Sequence, residues 1–264
     1  MKRILVFLCV ATLAVMMSIG ATAATDPGIT DTQVAIGAFQ DQSGPAAVVG
    51  INMRKGMEAY FNWVNAQGGV NGRKIKFIVE DDGFQAARAI AATKKLVEQD
   101  KVFALVGTLG TPGVSATIDY IMEKQIPSIY QGSGISALAY PPKRFIFPVQ
   151  PNFISEGRIV ATYVVESLKM KRIALACEQT DIGSEGLRGA QDQLATYGIE
   201  TVEVVNFGAA DVDFSSQILK LMRAKPEAVI IYSTLKPAAG FLKQAKVMGL
   251  EAQFLSTYVN GGPV

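Results

Sequence analysis

The sequence contains no histidine and only two cysteines in 264 residues. Without histidine, the chain cannot form a Ser/His/Asp or Cys/His catalytic triad, or a metal site with imidazole ligands. Cys9 lies in an N-terminal apolar run, which leaves Cys177 without an intrachain disulfide partner and excludes a thiolate zinc cluster. Gly-Lys-Ser/Thr phosphate loops and Gly-x-Ser-x-Gly nucleophile elbows are also missing. The composition therefore argues against most enzyme classes and predicts no cofactor and no metal.

An excess of charge of either sign is absent as well. The chain has 25 Lys and Arg against 23 Asp and Glu, and Lys2 and Arg3 are the only charged residues in its first 23 positions. Without that segment, 23 basic residues face 23 acidic residues. No dense stripe of Lys and Arg marks a surface for the phosphate backbone, so the sequence predicts no nucleic-acid partner.

The N-terminal segment has the three regions of an export signal. A short basic start is followed by an apolar or small-residue run over residues 4–20, and then by Ala21-Thr22-Ala23, the small-x-small pattern that signal peptidase reads. The alternative is a membrane anchor over residues 4–24, which is just long enough to span a bilayer. The order of the regions favours a signal peptide over residues 1–23, cleaved after Ala23, and an exported chain.

Beyond this segment, strand and helix patterns alternate in two series. The expected strands are residues 33–40, 74–81, 102–107 and 126–130 in the first series, and residues 172–177, 200–207, 228–232 and 253–255 in the second. Such alternation predicts an α/β fold with two doubly wound parallel-sheet lobes, at residues 24–140 and 152–264. Proline-rich residues 141–151 are expected to cross between them, so that a cleft forms between two halves of a clamshell.

Loops after the strands of such sheets are the expected ligand-binding positions. Thr111 and Pro112 fit the N-cap and first position of a helix, whose unpaired N–H groups and dipole attract an anion. The alternative is a threonine that only caps the helix. Neither this loop nor the one after the fourth strand contains Lys or Arg, which favours a carboxylate over a phosphate. The candidate residues from the first-lobe loops are Ser43, Gly44, Gly110, Thr111, Pro112, Gly132, Ser133 and Gly134.

Two enzyme interpretations are weaker. The motif Gly132-x-Gly134-x-x-Ala137 formally matches a dinucleotide fingerprint, but it follows the fourth strand and not the first. Asp81 and Asp82 could form a carboxylate pair, although adjacent strand residues point to opposite faces and favour a strand-end turn.

Four stretches of the first lobe carry a resemblance to a known family: QVAIGAFQDQSGP, GMEAYFNWVNAQGGVNGRKI, VEDDGFQAARA and LVGTLGTPG. They resemble the periplasmic leucine/isoleucine/valine-binding proteins, the solute receptors of branched-chain-amino-acid-type ABC importers. The resemblance implies a periplasmic, monomeric, non-enzymatic receptor that closes on a small carboxylate and delivers it to an inner-membrane ABC permease. It supports the loops at Thr111 and Gly132 and adds Ile182, Gly183, Leu235 and Tyr258 from the second lobe.

The chain departs from the family in two respects. Leucine-type receptors hold the ammonium with a threonine and an acidic residue, where this sequence has Gly134 and Tyr258. The ligand is therefore expected to have a carboxylate and an apolar or aromatic body, without necessarily being an α-amino acid. The chain is also shorter than family members, so we expect a truncation in which the first lobe lacks its returning C-terminal segment. The alternative functions are a ligand-sensing receptor of the same fold and a doubly wound enzyme.

Overall fold

The computed structural model describes residues 26–261, so the predicted signal peptide and its cleavage site lie outside the described residues. Two sheets form, each with only parallel pairing between its strands, in the orders β2-β1-β3-β4-β5 and β7-β6-β8-β9. The predicted α/β fold with two doubly wound lobes is confirmed. In the described part of the chain, no helix combines the length and apolarity needed to cross a bilayer.

The strands carry mostly β-branched and other apolar residues, as parallel strands covered by helices require. They are β1 Gln33–Gln40, β2 Lys74–Asp81, β3 Ala104–Val106, β4 Ser128–Ile129, β5 Ile146–Phe147, β6 Ile173–Glu178, β7 Glu203–Phe207, β8 Ala228–Tyr232 and β9 Gln253–Ser256.

The helices cross between successive strands and cover the sheets. They are α1 Ala47–Ala66, α2 Ala86–Lys94, α3 Thr111–Lys124, α4 Phe153–Thr162, α5 Asp181–Thr196, α6 Ser215–Ala224 and α7 Leu235–Met248. Helices α2 and α4 each continue into a π-helical turn, over Lys95–Gln99 and Tyr163–Ser167.

The expected crossing between the lobes contains a strand that the sequence did not reveal. Ile146 and Phe147 lie within residues 141–151 and pair in parallel with Ser128 and Ile129, so they form the edge of the first sheet. A two-residue strand between prolines has no detectable alternation, and the proline density of the segment indicated only an extended path. The segment therefore belongs in part to the first lobe.

The lobes have separate cores. In the first lobe, α2 and α3 pack on the sheet around Phe39, Leu96 and Leu105, all of which are fully buried. The second lobe has a core on each face of its sheet, because β6 and β8 are apolar on both sides. One of these cores is built on three aromatic rings, those of Phe207, Phe214 and Phe241, with centroids 5.3–5.7 Å apart.

Phe241→Ala should destabilise the chain by about 3–5 kcal/mol, because it leaves a cavity between the two other rings. Leu242→Ala on the next position of α7 is the matched control, since Leu242 is 36% exposed and should change stability by about 0.5 kcal/mol. Urea unfolding followed by far-UV circular dichroism measures both, and equal losses would contradict the assignment of this core.

Candidate functional site

A cavity of about 630 Å³ lies between the two lobes and is the candidate ligand site. The first lobe contributes its wall from the loop after β2 and the start of α3. The second lobe contributes the end of β6, the first turns of α5, one residue of β7 and one residue after β8. The lining residues are Phe84, Thr111, Pro112, Cys177, Glu178, Gln179, Thr180, Asp181, Ile182, Gly183, Ser184, Leu187, Asn206 and Thr234.

Sheet topology explains why these segments meet. Strand order reverses between β1 and β3 in the first sheet, and between β6 and β8 in the second. Connections leave the carboxyl ends of such neighbouring strands in opposite directions, which opens a crevice at that edge of the sheet. Thr111 follows β3, Glu178 ends β6 and Thr234 follows β8, so all three lie at these crevices.

The first-lobe wall is the N-terminus of α3. The N-cap is Gly110, with a φ of 113° that favours glycine, and Thr111 is already the first helical residue. The expected N-cap role of Thr111 is therefore wrong, and its side chain makes no capping bond. Within the described residues the N–H groups of Thr111 and Gly113 find no acceptor, as is usual in a first helical turn.

The loop after β4 lies directly beside this helix start. Thr111 Oγ1 and Ser133 Oγ are 2.9 Å apart and hydrogen-bonded, and both residues are buried. Gly132 forms a parallel bridge with Leu109, which joins the two loops through their backbones. The predicted proximity of these loops is thus observed, although only Thr111 and Pro112 line the cavity.

The second-lobe wall is the start of α5 with the ends of β6 and β8. Ile182 and Gly183 line the cavity, and a β-carbon on Gly183 would lie 1.8 Å from the carbonyl oxygen of Glu178. Only glycine therefore allows the helix to begin this close to the strand. Leu235 is the first residue of α7, next to the lining residue Thr234 but outside the lining itself. Burial raises the pKa of the Cys177 thiol to about 12, which keeps it in the un-ionised form.

Gly134 and Tyr258 pack against each other beside the lobe connection and do not line the cavity. A β-carbon on Gly134 would lie 2.6 Å from both the Tyr258 Oη and the carbonyl oxygen of Pro151. Tyr258 Oη donates to Gln150 Oε1 at 3.0 Å, and its ring stacks on Phe153. The tyrosine hydroxyl thus occupies the space that a side chain at position 134 would need.

Ser43 and Gly44 belong to an acidic turn that lies outside the cavity lining. The backbone N–H groups of both residues donate to Asp41 Oδ1, and the Ser43 hydroxyl donates to Asp81 Oδ2 at 2.6 Å. Burial alone would raise the pKa of Asp81, but hydrogen bonds from Ser43, from backbone N–H groups and from Arg88 lower this pKa below its usual range. The carboxylates of Asp41 and Asp81 are therefore compensated by donors from the chain itself.

Asp82 is the least compensated member of this turn, because only its Oδ1 accepts a hydrogen bond, from the backbone N–H of Phe84 at 3.1 Å. It is fully buried, and its Oδ2 has no hydrogen-bond partner within residues 26–261. Burial raises the pKa of Asp82 to about 6, and the charges of Asp41 and Asp81 act in the same direction. Carboxylate oxygens of Asp41, Asp81 and Asp82 lie within 4.8 Å of one another, so the expectation that Asp81 and Asp82 point to opposite faces is wrong. The expected strand-end turn is observed, and Asp81 is held there by Ser43 and Arg88.

The two lobes are also linked directly across their interface. Glu185 on α5 accepts hydrogen bonds from the backbone N–H and the hydroxyl of Ser136, at 2.8 and 2.6 Å. Buried Glu156 on α4 accepts bonds from the Thr257 hydroxyl and the backbone N–H of Tyr258. The Glu156 contacts lie within the second lobe and hold the start of α4 to the segment after β9, so only the Glu185 contacts described here join the two lobes.

Sequence reasoning missed several residues of the site. Phe84 follows β2, whose loop was not considered as a ligand position, although it lies at the same carboxyl edge as the others. Glu178 was overlooked because strand β6 was expected to end at Cys177, one residue earlier than it does. Thr180 and Thr234 are N-cap residues of α5 and α7, and their position before a helix was the available signal.

Gly134→Ala should destabilise the chain by about 1–3 kcal/mol, because the added methyl group meets backbone as well as Tyr258. Gly56→Ala is the control: Gly56 lies within α1 with nothing near its β-carbon position, and alanine there should stabilise by up to about 1 kcal/mol. Urea unfolding of both variants checks this, and a neutral Gly134→Ala would refute the close packing described.

Asp82 should make stability depend on pH between about 4 and 6. The folded pKa of about 6 exceeds the ordinary value of about 3.9, so the folded chain binds the proton more tightly and loses stability as pH rises through this window. The loss should reach about 3 kcal/mol above pH 6. The Asp82→Asn variant should not show this loss of stability between pH 4 and 6. Thermal unfolding of both proteins from pH 4 to 7 tests it, and parallel curves would contradict it.

The sequence profile of the periplasmic binding protein family matches residues 33–262. An amino acid binding protein from Pseudomonas aeruginosa is 28% identical over 224 residues, which are 84% of this chain and 60% of that protein. The chain thus spans about 60% of the length of this curated relative. The relative is named as a binding protein and not as an enzyme, and the resemblance seen in the sequence is confirmed.

Solved structures share the fold. A branched-chain amino acid transporter substrate binding protein from Streptococcus pneumoniae, in complex with isoleucine, has a TM-score of 0.78 and 24% identity, with 85% of this chain and 64% of that chain covered. A solute binding protein from R. palustris, in complex with benzoate, has a TM-score of 0.78 and 22% identity, with 86% and 63% covered. With a profile match over nearly all of its described residues, the chain belongs to the periplasmic binding protein family.

Proposed function

We propose that this chain is the substrate-binding component of an ABC importer, which takes up a small carboxylate between its two lobes in the periplasm. Its partner is then an inner-membrane ABC permease, and the receptor acts as a monomer without a cofactor. Family membership supports the binding role. The relative from Pseudomonas aeruginosa is named for amino acid binding, and this name supports the ligand class.

The observation that carries the proposal is the open N-terminus of α3 in the wall of the cavity. Thr111 and Pro112 line the space between the lobes, and the first N–H groups of the helix lack acceptors among the described residues. A carboxylate bound there gains hydrogen bonds from these N–H groups and from the hydroxyl of Thr111, together with the favourable helix dipole. The second hydroxyl, that of Ser133, holds Thr111 Oγ1 in place.

The cavity also suits an apolar ligand body. Phe84 and Pro112 on one wall face a second wall that includes Ile182 and Leu187. Isoleucine and benzoate, the ligands of the two structural neighbours, both combine a carboxylate with an apolar body. Binding between two lobes joined by a short crossing favours the closed arrangement, so the ligand shifts the population toward closure.

A sensing receptor of the same fold and a doubly wound enzyme remain the alternatives. Native mass spectrometry of the protein purified from periplasm identifies the metabolite that copurifies, and equilibrium titration with that metabolite measures its binding. Chemical conversion of the bound metabolite during incubation would favour the enzyme and contradict the proposal.

Thr111→Val should weaken carboxylate binding about 10- to 100-fold, because it removes a hydroxyl donor to a charged group and keeps the shape of the side chain. Thr196→Val, at the exposed end of α5, is the control and should leave affinity unchanged. Isothermal titration calorimetry with the copurified metabolite measures both. Equal affinities of Thr111→Val and the unaltered protein would place the carboxylate elsewhere.

A further inference from the structure

Glu185 joins the two lobes through contacts that do not involve the crossing at residues 141–151. It lies on α5 of the second lobe and is partly buried. Its Oε2 accepts a hydrogen bond from the backbone N–H of Ser136 at 2.8 Å, and its Oε1 accepts one from the Ser136 hydroxyl at 2.6 Å. Between residues 26 and 261, no Lys or Arg forms an ion pair with Glu185. Both carboxylate oxygens are therefore committed to one residue of the first lobe.

Ser136 is the first residue of a 3₁₀ turn over Ser136–Leu138, and the turn has no side-chain cap from the residue before it. The N–H groups at the start of such a turn have no acceptor within the turn itself. A carboxylate is a strong acceptor for them, because hydrogen bonds to an ionised group are shorter and stronger than neutral ones. In this chain the acceptor comes from the other lobe. Glu185 thus caps a first-lobe turn, and it can do so only while the two lobes stand close together.

The capped turn is connected to the residue that holds Thr111. Ile135 precedes Ser136, and its backbone N–H donates to Ser133 Oγ at 3.2 Å. Ser133 Oγ is in turn hydrogen-bonded to Thr111 Oγ1 at the start of α3. A continuous series of hydrogen bonds and covalent neighbours therefore leads from Glu185 in the second lobe to Thr111 in the first-lobe wall of the cavity.

Glu185 also lies between residues of the opposite wall. Ser184 and Leu187 on α5 line the cavity, whereas Glu185 does not. Helix α5 packs backbone to backbone on α4, since a β-carbon on Gly157 would lie 2.5 Å from the carbonyl oxygen of Gly186. Such close packing makes the two helices one rigid unit, and α4 begins two residues after the crossing. A change at Glu185 thus acts on the position of a whole wall and not on a contact with the ligand.

We infer that Glu185 is a positioning residue for ligand binding, which latches the two lobes by capping Ser136 and so holds both walls of the cavity at the spacing that a ligand needs. The inference rests on the proposed function, in which the ligand is held between the lobes, and adds the residue that determines how long they stay together. Because both partners belong to the chain, the latch also acts in the ligand-free protein. Opening the lobes breaks two charge-assisted hydrogen bonds, and forming them again favours closure.

Small-angle X-ray scattering of the full, ligand-free chain tests the latch. Glu185→Ala removes both acceptors, so the lobes should open more often and the radius of gyration should rise. Asp192→Ala is the matched control, because it removes a carboxylate from the same helix whose partner, Arg158, lies on α4 of the same lobe. The control should leave the radius of gyration unchanged. No increase for Glu185→Ala, or an equal increase for both variants, would overturn the inference.

Ligand binding provides a second measurement of the same contact. Isoleucine and benzoate, the ligands of two structural neighbours, serve as probes in titration calorimetry and stopped-flow fluorescence. For each probe that binds, Glu185→Ala should weaken affinity about 10-fold, mainly through faster dissociation, because the closed form loses two hydrogen bonds. Glu185→Gln keeps one acceptor oxygen and should restore part of this loss, whereas Asp192→Ala should change neither quantity. A purely structural role would lower stability and leave the dissociation rate unchanged, and this result would contradict the latch.

A double-mutant cycle assigns the effect to this pair of residues. Ser136→Ala removes the hydroxyl donor and leaves the backbone N–H, so it should weaken probe affinity about two- to fivefold. In the Glu185→Ala background it should have no further effect, since the acceptor is already gone. Additive losses would overturn the assignment to Ser136.

Two milder variants keep the test decisive if Glu185→Ala fails to fold, as judged by far-UV circular dichroism. Glu185→Gln and Ser136→Ala should then both raise the radius of gyration, and unchanged values for both would overturn the inference. Failure of isoleucine, benzoate and any copurified metabolite to bind would contradict the proposed function, while the scattering comparison would still decide the latch.

Discussion

Parallel pairing of the strands constrains where this chain can hold a ligand. Because the strands within each sheet all run in one direction, every loop at the carboxyl edge projects toward the same side, and the reversal of strand order opens a crevice there. The two sheets direct these edges toward a shared space between the lobes. The start of α3 from one sheet and the ends of β6 and β8 from the other form its opposite walls.

The two walls present mainly helix starts and strand ends to the cavity between the lobes. On one side, N–H groups left over by the geometry of a first helical turn provide partial positive charge without any basic side chain. On the other side, neutral hydroxyl and N–H donors hold Glu178 Oε2, and Glu178 Oε1 is buried without a hydrogen-bond partner among the described residues. The cavity walls thus offer oriented dipoles and hydroxyl groups, in a chain that has neither histidine nor an ionised thiol.

Much of the fold and part of the site could be predicted from the sequence. Both ends of apolar strands such as Ala228–Tyr232 were predicted correctly, because turn residues and a proline lie close to these ends in the sequence. Thr111 and Pro112 were found because a helix start after a buried strand has a clear signature. The roles of Gly134 and Tyr258 could not be derived, since positions 124 residues apart meet only through tertiary packing. Glu178 also escaped notice, because nothing local distinguishes a strand-end glutamate with an unpaired oxygen from one exposed to water.

The contact between Gly134 and Tyr258 has a consequence for how specificity could evolve in this chain. A threonine at position 134 has no room while the tyrosine hydroxyl stands 2.6 Å from the β-carbon position, whereas a smaller side chain at 258 can arise first without a steric clash. Backbone at Pro151 would still have to withdraw. The ring of Phe153, 2.7 Å from the same β-carbon position, would have to move as well, so a leucine-type ammonium pocket here requires coordinated changes on both sides of the lobe connection.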